Sequence, residues 1–236
     1  MATLSPTPLP HPSLWRADEA AIPCPPGVPT GHAALDTELP GGGWPPGEMT
    51  ELLTDCSGHG ELSLLLPLLV RSSQNEGWIA WVAPPHIPGI PALASAGLRT
   101  PRLLIVRAST TGERAWALRQ ALRSDACTAV VGWLDHVDTA LLRRLQLAVR
   151  ETTMPLLLFR SAHSAHTASP AALRLQLSAG APGVLRLDIL KRWGRPASRP
   201  LHLSLEDSLS PSSGFPVRQQ MAGARIGAPP AQALIA

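Results

Sequence analysis

Residues 52–66, LLTDCSGHGELSLLL, have the frame of a phosphate-binding loop: an apolar strand ending at Leu53, a short glycine-containing turn, and an apolar helix starting near Glu61. In a working loop of this kind, G-x-x-x-x-G-K-[ST], backbone amides approach the phosphates, a lysine neutralises their charge and a hydroxyl holds magnesium. Alignment from the strand side puts Thr54 on the first glycine. Alignment from the helix side puts His59 on the lysine and Gly60 on the hydroxyl position. Both hold together only if the loop is one residue shorter than the motif. Gly58 and Gly60 still offer amides at the positive end of a helix dipole, whereas Asp55 and Glu61 set two carboxylates where a phosphate would be repelled. The expectation is a structural turn that binds no nucleotide and needs no cofactor.

Other side chains with chemical potential are scattered. His163 and His166 stand three apart with no Cys or carboxylate between them, and His59 and His86 are isolated, so no metal site is expected. Ser161, Ser164 and Ser169 lack the G-x-S-x-G context of a nucleophile. Cys24, Cys56 and Cys127 lie far apart without C-x-x-C spacing, which argues against a disulfide framework or a zinc site. Asp135 and Asp138 read as turn and helix-cap residues ahead of a helix at Thr139.

The elements that would position these residues alternate. Strands are predicted at Met49–Leu53, Trp78–Ala83, Leu103–Val106, Ala126–Leu134 and Pro155–Phe159. Between them lie helices at Glu61–Ser73 (kinked or broken at Pro67), Ile90–Ala96, Gly112–Leu122 and Thr139–Arg150. A short helix at 31–39 and a GGGWPPGE turn precede the first strand. Short apolar runs alternating with helices predict an α/β fold, a mostly parallel sheet with helices on both faces. After a polar loop at 161–170, Ala172–Leu177 and Val184–Lys191 are expected to pair as a hairpin, with Leu201–Leu205 as a last strand.

The chain of 236 residues is 44% hydrophobic and 16% charged, as a globular protein with one sizeable core would be. Three regions are expected: a Pro-rich segment 1–29 with a short helix near 13–21, a core domain 30–207, and a flexible tail 208–236. The longest apolar stretch, Leu62–Val70, is too short to span a bilayer. With no basic-then-apolar leader, the expected location is the cytoplasm. The net charge of +3 permits nucleic-acid contact without demanding it.

The run TGHAALDTELPGGGWPPGEMTELLTDCSGHGELSL resembles the beginning of the nucleotide-binding core of the RecA recombinase family. AWVAPPH at 80–86, LLIVRASTTGERAWALRQALRS at 103–124 and ACTAVVGWL at 126–134 continue the likeness, which covers about residues 28–195. The resemblance implies a RecA-like fold with a degenerate phosphate loop. It places the catalytic glutamate at Pro85 and the magnesium aspartate at Gly132 or Trp133, none of which can do that work. Hence no enzyme activity is expected. An N-terminal LWRAD, PTGHAALDTELPGGGWP, WVAPPH and LRRLQLA together resemble the ImuA family, which is distantly similar to the SulA cell-division inhibitors.

The ImuA resemblance implies an accessory role in damage-induced (SOS) translesion DNA synthesis. It implies an ImuB-type polymerase-like partner, RecA, and an error-prone replicative-type polymerase reached through the complex. The SulA resemblance leaves open a division inhibitor that binds FtsZ, and the RecA likeness an ATP-dependent DNA-binding protein. Direct DNA contact is expected to be weak or absent, because the 161–170 loop has only Arg160 as an adjacent cation. Partner-contact candidates are Trp15 and Arg16 in the N-terminal segment, Lys191, Arg192 and Trp193 in LKRWGR, and Phe215, Met221 and Ile226 in the tail.

Overall fold

The structure, a computed structural model, describes residues 24–205 apart from positions 56, 75, 195, 196 and 198. Trp15, Arg16, Phe215, Met221 and Ile226, with the expected 13–21 helix and the 208–236 tail, lie outside the described residues.

Eight strands form one sheet in the order β3-β2-β4-β5-β1-β6-β7-β8. They are β1 (Met49–Leu53), β2 (Trp78–Val82), β3 (Leu103–Val106), β4 (Cys127–Trp133), β5 (Leu156–Arg160), β6 (Leu173–Ala179), β7 (Val184–Lys191) and β8 (Leu201–Ser204). β1 to β6 run parallel, and β7 and β8 add antiparallel at one end. The arrangement is consistent with the RecA-like α/β fold expected.

Five α-helices cross over: α1 (Ala33–Glu38), α2 (Glu61–Gln74), α3 (Ile90–Ser95), α4 (Thr111–Arg123) and α5 (Thr139–Arg150). Alternation along each strand divides the core in two. Leu52, Trp81, Val131, Leu157 and Phe159 face the leucines of α2, with Leu35 of α1 and Leu93 of α3. Met49, Val82, Val130, Leu156 and Leu158 face Leu118 and Leu122 of α4 and Leu142, Leu145 and Val149 of α5. The helix starts are set locally. Thr110 and Glu113 make a reciprocal capping box for α4, and Asp138 accepts from the Leu141 amide at 2.7 Å to cap α5, as expected.

Pro67 neither breaks α2 nor ends it; the helix runs unbroken from Glu61 to Gln74. The proline is braced from outside. Gly31, at φ +89°, lies so close that any Cβ there would overlap the Pro67 ring. The 161–170 loop also differs from the irregular segment expected, since Ala162–His166 closes a 3-10 turn on a Ser161 cap.

One charged cluster is buried among β1, β5 and β6. Glu51, fully buried in β1, accepts from Arg160 Nη1 at 2.8 Å, Arg174 Nε at 2.7 Å and Ser169 Oγ at 2.8 Å. Arg174 also donates to the carbonyls of Ser164, Ala165 and Thr167, which fastens the 3-10 turn over the sheet. A buried carboxylate is tolerable only when paired in this way, and removal of one partner strands the others. Glu51→Gln is therefore expected to cost about 3–5 kcal/mol in urea unfolding. Replacing Glu51, Arg160 and Arg174 together by Met or Leu should recover most of that loss.

Candidate functional site

Parallel strands end on one side of a sheet, and ligands of such folds bind in the crevice beyond those ends. Here that crevice encloses about 890 Å³. Thr54, Asp55, Ser57 and Glu61 line it from the loop after β1, and Ala83–Pro88 from the loop after β2. Ile105, Arg107, Arg114, Trp133, Asp135, Phe159, Arg160 and Ser161 complete it. Of the positions aligned with a phosphate site, Thr54, Pro85 and Trp133 line this crevice. Gly58, His59 and Gly60 line a separate depression with Ala179–Val184 and Leu205, and Gly132 faces Leu118 of α4.

The loop is occupied by its own chain. Gly58 and Gly60 sit at φ +90° and +95°, a conformation that turns successive amides to one side. The Gly58 amide donates to Glu61 Oε1 at 2.8 Å and the His59 amide to Glu61 Oε2 at 2.9 Å. A carboxylate of the protein takes the place that a phosphate's oxygens would take. Glu61 does more than repel an incoming anion, as the sequence suggested; it satisfies the donors that would bind one. A Cβ at Gly60 would overlap the Leu205 side chain, so the residue following β8 packs directly on the loop. Asp55 is committed as well, accepting from the Ala162 amide at 3.0 Å and Ser161 Oγ at 3.2 Å.

The acidic positions are filled by packing. A Cβ on Gly132 would come within 2.6 Å of Leu118 Cδ2, so an aspartate there would collide with α4. Trp133 stacks on Phe159 at 5.0 Å and meets Trp81 edge-on at 5.8 Å, building an aromatic floor where a magnesium ligand would stand. Pro85 follows Ala83, whose φ of 55° is costly for a residue with a Cβ, roughly 1–2 kcal/mol. Asp135, beyond the end of β4, accepts from the Ser161 amide and joins the loops after β4 and β5.

The proposed cationic contacts are also engaged. Arg160, expected as the cation beside the 161–170 loop, is buried against Glu51 and gives that loop no free charge. Lys191 Nζ donates to the Ser169 carbonyl at 3.0 Å; burial and the neighbouring Arg174 charge both hold its pKa below the ordinary lysine value. Arg192 reaches back to Glu38, pairing its carboxylate at 2.9 Å. Trp193 and Arg192 line a small pocket together with Leu39, Pro40 and Leu173, and the Arg192–Glu38 pair ties the segment after β7 to α1. Among the described residues no three His, Cys, Asp or Glu side chains group as metal ligands would, and no helix is long and apolar enough to cross a membrane.

The Glu51 triad and a second cluster escaped sequence reasoning. Glu48 accepts from Arg150 Nε at 3.1 Å and from Gln146 Nε2, while Gln146 Oε1 accepts from the Met49 amide at 3.1 Å. The available signal was charge inside apolar runs: Glu in MTELL, Arg ending LLLFR, Arg in LRLQL.

Comparison with known proteins adds two findings. Residues 37–164, more than half of the chain, match the family described as the MT3502 N-terminal domain. A cell division inhibitor SulA from Edwardsiella piscicida is 34% identical over 90 residues, 38% of this chain and 54% of the relative. The chain spans about half the length of that relative.

The Glu61 contact makes a measurable demand. Glu61→Ala removes the acceptor of two amides and is expected to cost about 1 kcal/mol, as for loss of a helix cap. Amide exchange should accelerate selectively at Gly58 and His59 while β1 stays protected.

Proposed function

The chain belongs to the MT3502 N-terminal domain family, and from that membership we propose a non-catalytic RecA-like accessory protein that acts in the response to DNA damage by docking onto other proteins. The observation that carries this reading is the Glu61 carboxylate on the amides of Gly58 and His59. Phosphoryl transfer needs positioned cations, a magnesium ligand and a group that orients water. Here His59, Pro85, Gly132 and Trp133 supply none of these. What remains is a rigid α/β body whose shape is that of a nucleotide-binding domain.

The ImuA resemblance supports the finer reading. The partners would be an ImuB-type polymerase-like protein and RecA, with an error-prone replicative-type polymerase joined through the complex. A RecA-like surface can meet RecA without ATP, because recognition needs only complementary packing. A second reading rests on the SulA relative: a division inhibitor that binds FtsZ.

Two measurements separate these possibilities. Calorimetric titration of the full chain with Mg-ATP should give no saturable binding tighter than about 1 mM, and submillimolar binding with turnover would overturn the non-catalytic reading. In parallel, the purified chain is mixed with RecA, with ImuB-type protein and with FtsZ. Association with RecA or ImuB supports the translesion role, inhibition of FtsZ assembly supports the division-inhibitor role, and association with none refutes both.

A further inference from the structure

We infer that the β3 edge of the sheet is an interaction surface that takes an extended, acidic segment of a partner protein as an additional strand. The inference rests on the docking role proposed above and identifies the surface that performs it.

Four properties converge on this edge. First, among the described residues β3 pairs with β2 alone, so the backbone donors and acceptors of Leu103–Val106 on its outer side meet no strand. Such an edge is a template for strand addition unless it is covered or charged inward. Second, it is poorly covered: α4 packs mainly over β4 and β2, leaving Leu104 43% exposed. Third, among the described residues Trp78 of β2 and Leu104 of β3 are large apolar side chains left exposed, as are Ile87 and Ile90 in the segment that joins the two strands. Ile87, 80% exposed, is held between Pro85 and Pro88, so little conformational freedom is lost when it docks.

The fourth property is charge, and it selects the occupant. Residues 77–124 carry six arginines and one acid, Glu113. Glu113 accepts from the amides of Ser109 and Thr110 in the α4 cap. Glu76 and Asp125 stand just outside this segment, at the end of β2 that carries Trp78, so the excess of positive charge is clearest at the other end, at Arg107. Arg102 covers the Trp78 ring at 5.7 Å, and Arg107 stands exposed immediately past β3. A second copy of the chain would bring the same positive edge and be repelled. Nucleic acid would use the arginines but neither the strand edge nor the apolar side chains. A partner strand with alternating acidic and β-branched residues uses edge, apolar side chain and charge together: backbone to β3, apolar side chains to Leu104 on one face, carboxylates to Arg107 on the other.

The test uses the full-length ¹⁵N-labelled chain and a synthetic peptide of about seven alternating Glu/Asp and Val/Ile residues. The comparison ligands are its lysine counterpart, its counterpart N-methylated along one edge, and single-stranded DNA. The acidic peptide should shift and protect the amides of Leu103–Val106 from exchange, and the other three should not. Leu104→Glu and Arg107→Glu should each weaken peptide binding about tenfold, about 1.4 kcal/mol, whereas Leu147→Glu on exposed α5 leaves it unchanged. Equal binding of the lysine or N-methylated peptide, perturbation by DNA instead, or no protection of β3 overturns the inference. With whichever of RecA, ImuB-type protein or FtsZ associates with the wild-type chain, Leu104→Glu should also lower affinity about tenfold. If a partner binds and Leu104→Glu changes nothing, the surface is wrong and the docking role stands. If no partner binds, the docking role falls while the peptide result still judges the edge.

Discussion

The fold depends on one carboxylate in the middle of an apolar strand. Glu51 lies in β1, flanked by β5 and β6, with no access to water. Its negative charge requires two arginines from the neighbouring strands and a hydroxyl from the following loop. Each of those groups is then fixed as well. Arg174 spends its remaining donors on carbonyls of the 3-10 turn, and Lys191 from β7 holds the Ser169 carbonyl. The register of three strands and the course of the loop after β5 therefore follow from one desolvation problem, since a buried charge must be paired where it stands. A loop held down in this way cannot at the same time be a mobile, cationic arm.

The crevice at the strand ends shows the same economy. Several polar groups at the strand ends have partners within the chain, and apolar packing fills the space beside them. The loop amides have Glu61, Asp55 has the Ala162 amide, and the magnesium position holds the Trp133–Phe159 stack. An acid at Gly132 would first have to displace the Leu118 side chain of α4. The β3 side combines exposed apolar side chains and arginines with a strand that, among the described residues, pairs on one side only.

The element order was readable because period-2 and period-3.6 patterns are local. Leu103–Val106 and Thr139–Arg150 coincide with the observed strand and helix, and Asp138 was identified as a cap from its position alone. Pro67 was read as a kink or a break because a proline's local cost is visible, whereas the packing of Gly31 and the leucines of α2 that keeps the helix continuous is not. The Glu48 and Glu51 clusters were missed for the same reason: Glu51 and Arg174 are 123 residues apart.

What the sequence by itself determined is the α/β alternation, the hairpin at the end of the sheet, and the loss of lysine and acids from a phosphate-loop frame. These depend on residue identity and short-range periodicity. What only the tertiary structure decided is where charge goes. It turned Glu61 from a repelling neighbour into the ligand of its own loop and Arg160 from a surface cation into half of a buried ion pair. Among the described residues it also left β3 paired on one side only. Pairing and burial depend on which strands become neighbours, and that is settled by the whole chain closing its core.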